Sequence, residues 1–185
     1  MIITLTGLPG AGKTVIGKRL AEILEYEFLS IGQIRRKIAA QRGMTLEEYN
    51  KLGETDPSTD LDVDKYQKSL GETKDKIVLD AKIGFHFVPN SVKIFITASD
   101  EVRAKRIIGD NSERRLNQTK TESINQQILL NNERVKSDNY RFMKYYNLDY
   151  TDVSNFDFIL DTSLENDVEK NVEKILHFLK SKNYY

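Results

Sequence analysis

The chain has no cysteine, which removes disulfides, thiol nucleophiles and zinc–thiolate sites from consideration and suits a reducing compartment. Its 2 histidines, His86 and His177, leave little room for a histidine-built metal site or a conventional catalytic triad. Net charge is also absent: Lys+Arg 28 balance Asp+Glu 28, so no overall field draws the chain to nucleic acid or to a membrane surface. No apolar run approaches the roughly 20 residues that span a bilayer. The opening "MIITLTGLPG" meets glycine and proline before any leader-like apolar core and has no basic start, so no signal peptide is expected. These absences predict a cytoplasmic chain with neither nucleic acid nor membrane as partner.

With 185 residues and 39% hydrophobic content, what remains is one domain spanning 1–185, long enough to bury a core. Four apolar runs read as buried strands: "IITLT" (2–6), "KIVLD" (76–80), "VKIFIT" (92–97) and "FDFILD" (156–161), rich in β-branched and aromatic residues. A weaker fifth, "EFLS" (27–30), follows the first helical pattern. Strands alternating with helices predict an α/β fold with a five-stranded parallel sheet and helices on both faces. In the first helix Val15, Ile16, Leu20, Ile23 and Leu24 form the expected buried stripe. In the last helix Val168, Val172, Ile175, Leu176 and Leu179 do so, with Ser163 as the expected cap. Thr45 and Glu48 have the spacing of a capping box. Two stretches, 53–75 and 109–127, are polar and poor in core residues, and the second reads as an excursion from the core.

Between the first strand and the first helix stands Gly7-Leu8-Pro9-Gly10-Ala11-Gly12-Lys13-Thr14. In that context, Gly, four residues, then Gly-Lys-Thr is a phosphate-binding loop, and "KTVIG" opens the helix after it. Its glycines let backbone N–H groups face phosphate oxygens. Lys13 is expected to reach the β- and γ-phosphates, and the Thr14 hydroxyl to ligate Mg²⁺. The loop residues assigned to the nucleotide are Gly7, Gly10, Ala11, Gly12, Lys13, Thr14 and Val15. Asp80, ending an apolar strand, is the expected carboxylate for the metal or its water.

Cations recur just past the strand ends, where open parallel sheets bind ligands: Arg35, Arg36, Lys82, Arg103 and Arg106. Arg134 and Arg141 are two helical turns apart with Asp138 between them, the geometry of a clamp on a charged substrate. Asp138 either orients an arginine or contacts a base. Phosphoryl transfer calls for such charge, because its catalysis is mostly positioning and neutralisation.

The chain resembles the nucleoside monophosphate kinases, most closely the short cytidylate kinases that lack an inserted substrate domain. The segments that carry the resemblance are "GLPGAGKT", "LSIGQIRRKIAAQRGMTLEEYNKL", "DPSTDLDVDKYQ", "IVLDAK", "ITASDEVRAKRI", "RVKSDNYRFMKYYNLD" and "FDFILDTS". It implies a three-layer P-loop NTPase fold, with acceptor-binding helices over about 31–75 and a lid region over about 107–133. The implied reaction is ATP plus CMP or dCMP giving ADP plus CDP or dCDP with Mg²⁺, in a monomer whose partner is a small nucleotide acceptor. Lys13, Arg106, Arg134 and Arg141 are then the catalytic cations. Ser30, Arg36, Lys82 and Asp138 form the acceptor side, and Thr14 and Asp80 hold the metal.

Several positions depart from that family pattern. Ala81-Lys82 stands where Gly-Arg is common, exchanging a bidentate fork for a point charge. Gln33, Phe142 and Asn147 replace residues that are often acidic, Tyr and Gly. A longer stretch between Arg106 and Arg134 makes Arg114 and Arg115 either lid cations or loop decoration. The alternatives are a P-loop kinase for AMP, a nucleoside or another metabolite, or a nucleotide-binding protein with little transferase activity. His86, His177 and the aromatic run 140–150 read as packing or surface residues.

Overall fold

Five short runs pair edge to edge into one sheet, and the central three are buried on both faces, as a sheet covered on both sides requires. The computed structural model describes residues 1–110 and 121–185. Along the chain the elements are β1 (Ile2–Gly7), α1 (Lys13–Leu24), β2 (Glu27–Ser30), α2 (Ile31–Gln41), α3 (Leu46–Leu52) and α4 (Ser58–Thr73). There follow β3 (Ile77–Asp80), α5 (Gly84–Phe87), β4 (Val92–Thr97), α6 (Asp100–Ile108), α7 (Ile124–Tyr146), β5 (Phe158–Asp161) and α8 (Val168–Ser181). The sheet order is β2-β3-β1-β4-β5, all pairs parallel.

Residues on β3 alternate between two cores, as the two-residue period of a strand demands. Val78 joins Ile3, Leu5, Ile94 and Ile96 with Ile16 and Leu20 of α1 and Val172, Ile175 and Leu179 of α8. Ile77 and Leu79 instead meet Ile31 of α2, Val63 and Leu70 of α4 and Val88. A third cluster, of Ile83, Phe85, Phe142 and Tyr150, seats α7. The aromatic run 140–150 thus supplies packing.

Sequence pattern and structure part at a few points. In α1, Val15 and Ile23 stay 44% and 41% exposed; Val15 faces the cleft beside the glycine loop. Ser163 does not cap α8. Asp167 does, its carboxylate accepting from the Glu169 N–H at 2.9 Å. The Ser163 hydroxyl donates to Asp161 at 2.5 Å and accepts from the Ser99 N–H at 2.8 Å, tying the end of β5 to the start of α6. The capping box of α3 is present, with Glu48 N–H to Thr45 at 3.1 Å and Thr45 N–H to Glu48 at 2.7 Å. Asn147 ends α7 at φ 52, a left-handed position that Asn tolerates in place of Gly.

The polar stretch 53–75 folds as α4, which buries Asp60, Val63, Asp64, Gln67 and Leu70 on one side. Of the region expected as a lid, 124–133 forms the first turns of α7 and 107–108 ends α6. Arg114 and Arg115 lie outside the described residues.

Candidate active site

Where β1 turns into α1 the backbone makes conformations that side chains resist. Gly7 has φ 147, and a Cβ there would stand 1.9 Å from the Ile96 carbonyl oxygen. Gly10 and Gly12 have φ 81 and φ 92, and Gly12 is the N-cap of α1. The loop therefore closes over the helix N-terminus, whose free N–H groups and dipole favour a phosphate. The Lys13 ammonium donates to the carbonyls of Gly7 and Leu8, each at 2.9 Å. Ala11 is fully buried and lies behind the cleft, its carbonyl accepting from Thr162 Oγ1 at 3.2 Å. Gly10, Gly12, Lys13, Thr14 and Val15 line the cleft.

Register brings the second group to the same edge. Asp80 is paired with Leu5 on one side and Ser30 on the other. Its carboxylate oxygen accepts from Thr14 Oγ1 at 2.8 Å and from Ser30 Oγ at 3.3 Å. Among the described residues no cluster of three or more His, Cys, Asp or Glu is placed to hold a metal. Two hard oxygens at the mouth of a phosphate cradle are the donor set that suits Mg²⁺, which takes few protein ligands and completes its shell with water and substrate phosphates.

Beyond Asp80 the cleft runs between α2, α4 and α7 and encloses about 160 Å³. Its lining contains six cations, Lys13, Arg35, Arg36, Lys82, Arg134 and Arg141, against four carboxylates, Asp60, Asp64, Asp80 and Asp138, an excess of two positive charges in a neutral protein. Arg141 is almost wholly buried; it grips Asp60 through both oxygens at 2.8 and 2.7 Å and donates to Asp138 at 2.6 Å. Arg35 also pairs with Asp60 and donates to Asn50 at 3.2 Å. Lys82 pairs with the other oxygen of Asp138. Burial, with Arg134, Arg141, Lys13 and Arg35 close by, pulls the Lys82 ammonium well below its usual pKa. Arriving anions would relieve that crowding.

The residues expected from the sequence divide accordingly. Lys13, Thr14, Ser30, Arg36, Asp80, Lys82, Arg134, Asp138 and Arg141 are brought together in one cleft. Arg106 is not: it donates to Thr162 Oγ1, the Thr162 carbonyl and Asn166 at 2.8, 2.9 and 2.6 Å, outside the lining. Arg103 is buried and braces the loop, donating to the carbonyls of Ala98 and Pro9 at 3.2 and 3.3 Å. Gln33 is exposed and takes no part in the lining. His86 is likewise exposed, its ring against Tyr146 at 5.6 Å.

Sequence reasoning assigned no role to Asp60, Asp64, Gln67 or Asn50, all of which line the cleft. The available signal was the spacing 60, 63, 64, 67, 70, which falls on one helix face. A search for apolar stripes passes over it because three of the five residues are polar.

The chain is similar to known proteins along most of its length. A family model described as an AAA domain matches residues 3–136. A cytidylate kinase of Methanosarcina acetivorans is 41% identical over 165 residues, 88% of this chain and 87% of that one. A cytidylate kinase of Staphylothermus marinus is 35% identical and covers 97% of both chains. The solved structure of a shikimate kinase from Bacteroides thetaiotaomicron superposes with a TM-score of 0.67 over 97% of this chain and 98% of that one, at 16% identity, a likeness of fold.

Proposed function

Since the chain belongs to the cytidylate kinase family, we propose that it transfers the γ-phosphoryl group of ATP to CMP or dCMP, giving CDP or dCDP and ADP. The observation that carries this reading is the excess of two positive charges in a cleft that runs without a break from the glycine loop to the α2–α4–α7 pocket. One anionic nucleotide fits the loop and a second fits the pocket, with their phosphates converging near Asp80.

In this scheme the N–H groups at the start of α1 and the Lys13 ammonium hold the donor's β- and γ-phosphates. Thr14 and Asp80 would hold Mg²⁺, which when bound neutralises charge on the phosphate oxygens. Lys82, Arg134 and Arg36 fix the acceptor phosphate so that its oxygen attacks in line, and Arg141 holds Asp138 in place beside Lys82. No side chain forms a covalent intermediate. Ser30 orients Asp80. The enzyme is read as a monomer of the cytoplasm.

The test is ADP release from Mg·ATP with CMP, dCMP, UMP, AMP and GMP as acceptors. Turnover with CMP or dCMP above the rest is the expected result, falling about a hundredfold or more in Lys13→Ala. Equal turnover by Lys13→Ala, or none by the unmodified protein with either cytidine nucleotide, would overturn the reading.

A further inference from the structure

Along α4 the character of the cleft wall changes within two helical turns. Asp60 is neutralised by Arg35 and Arg141. Asp64, one turn on, has no cation bonded to it among the described residues. It accepts from the Tyr146 hydroxyl and, at 3.2 Å, from Gln67 Nε2. Gln67 is 2% exposed, and its Oε1 is buried with no hydrogen-bond partner among the described residues. The amide cannot relieve this by flipping, because Oε1 would then face the Asp64 carboxylate, acceptor against acceptor. Both side chains line the cleft.

Burying a carbonyl oxygen without a donor is costly, and native proteins do so where a ligand or water completes the pairing. Here the missing partner must be a donor, and the neighbouring carboxylate is a second acceptor on the same wall. Burial pushes the Asp64 carboxyl up to about 6, so it is ionised and accepting at neutral pH. Ile31, Leu46, Val63, Ile83 and Phe142 add apolar surface to the same cleft lining, which suits the faces of a ring. A group with two hydrogens on one nitrogen satisfies both acceptors at once, and a ring carbonyl in its place would be repelled by both.

We infer that Asp64 and Gln67 form the base-reading pair of the acceptor pocket, accepting the two hydrogens of the exocyclic 4-amino group of cytosine and rejecting the 4-oxo group of uracil. This rests on the proposed cytidylate kinase activity and names the residues that give it its base preference. Discrimination of this kind is strong because the wrong base leaves buried polar groups unpaired. The phosphate-holding cations lie elsewhere on the lining, so base choice and phosphoryl transfer are separable by mutation.

The experiment measures kcat and KM for CMP and UMP in the unmodified protein, in Asp64→Asn, whose amide can donate to a 4-oxo group, and in Gln67→Leu, which removes the acceptor at similar volume. The ratio of kcat/KM for CMP over UMP should fall by about tenfold or more in each variant, chiefly through KM for CMP, with KM for ATP unchanged. A structural role would lower both acceptors together, and an unchanged ratio in both variants overturns the inference while leaving the kinase reading intact. Titration calorimetry of CMP and UMP reads the same preference without turnover. An unmodified protein that binds CMP over UMP, lost in Gln67→Leu, yet transfers nothing would overturn the kinase reading and support the base pair. If Asp64→Asn does not fold, Gln67→Leu decides alone. A preference for AMP equal to that for CMP would also overturn the assignment to cytosine.

Discussion

Arg141 holds Asp60 through both carboxylate oxygens, at 2.8 and 2.7 Å, across 81 positions of sequence. Both side chains are almost wholly buried, so the pair ties α7 to α4 across the cleft. Arg141→Met leaves Asp60 with Arg35 as its paired cation and is expected to destabilise the protein by about 3–5 kcal/mol, read from urea unfolding midpoints. Adding Asp60→Asn should recover part of that loss, since the two changes act on one interaction. Strictly additive effects would show that the pair is not coupled.

Lys82 and Asp138 give a second expectation. Lys82→Ala removes the cation proposed to hold the acceptor phosphate and takes one ion-pair partner from buried Asp138, so kcat/KM for CMP should fall about a hundredfold. Lys82→Arg, restoring the fork common in the family, should equal or exceed the unmodified rate. Equal rates in all three proteins would remove Lys82 from the site.

The buried Asp64 makes stability depend on pH. Its carboxyl is pushed up to about 6 in the folded protein, from a usual value of 3.8, by burial and by nearby Asp60, against the opposing Tyr146 hydrogen bond and the charges of Arg35 and Arg141. The folded state thus binds this proton more tightly than the unfolded chain. The resulting stability is fully present below pH about 4 and is lost as pH rises through about 6. Asp64→Asn should therefore gain in melting temperature, relative to the unmodified protein, between pH 5 and pH 8. A difference that is flat across that range would contradict the shift.

Gly7→Ala places a methyl 1.9 Å from the Ile96 carbonyl oxygen at φ 147, and this contact lies where β1 and β4 are paired. Relief requires the central strands to separate, so a loss of about 2 kcal/mol or more is expected, along with loss of ATP-dependent stabilisation. Gly43→Ala is the control: at φ 69 with nothing within 4 Å, it should cost only about 1 kcal/mol. Similar melting temperatures for the two variants would rule out the steric argument.

Local patterns in the sequence determined a good deal about this protein. The Gly-x-x-x-x-Gly-Lys-Thr spacing, the five apolar runs and the α3 capping box each depend on neighbours a few residues apart, and each is found where the pattern puts it. The tertiary structure decided which of the scattered cations line the cleft. Arg106 turned to Thr162 and Asn166, and Arg103 turned to the loop it braces, because carbonyl partners brought near by folding compete for a guanidinium. It also decided that α4 would bury Asp60, Asp64 and Gln67. Hydrophobic periodicity assigns polar residues to water, so it cannot register a helix whose inward face is polar. The approach of Arg35, Arg141 and Tyr146 from α2 and α7 supplies the buried partners of Asp60 and Asp64.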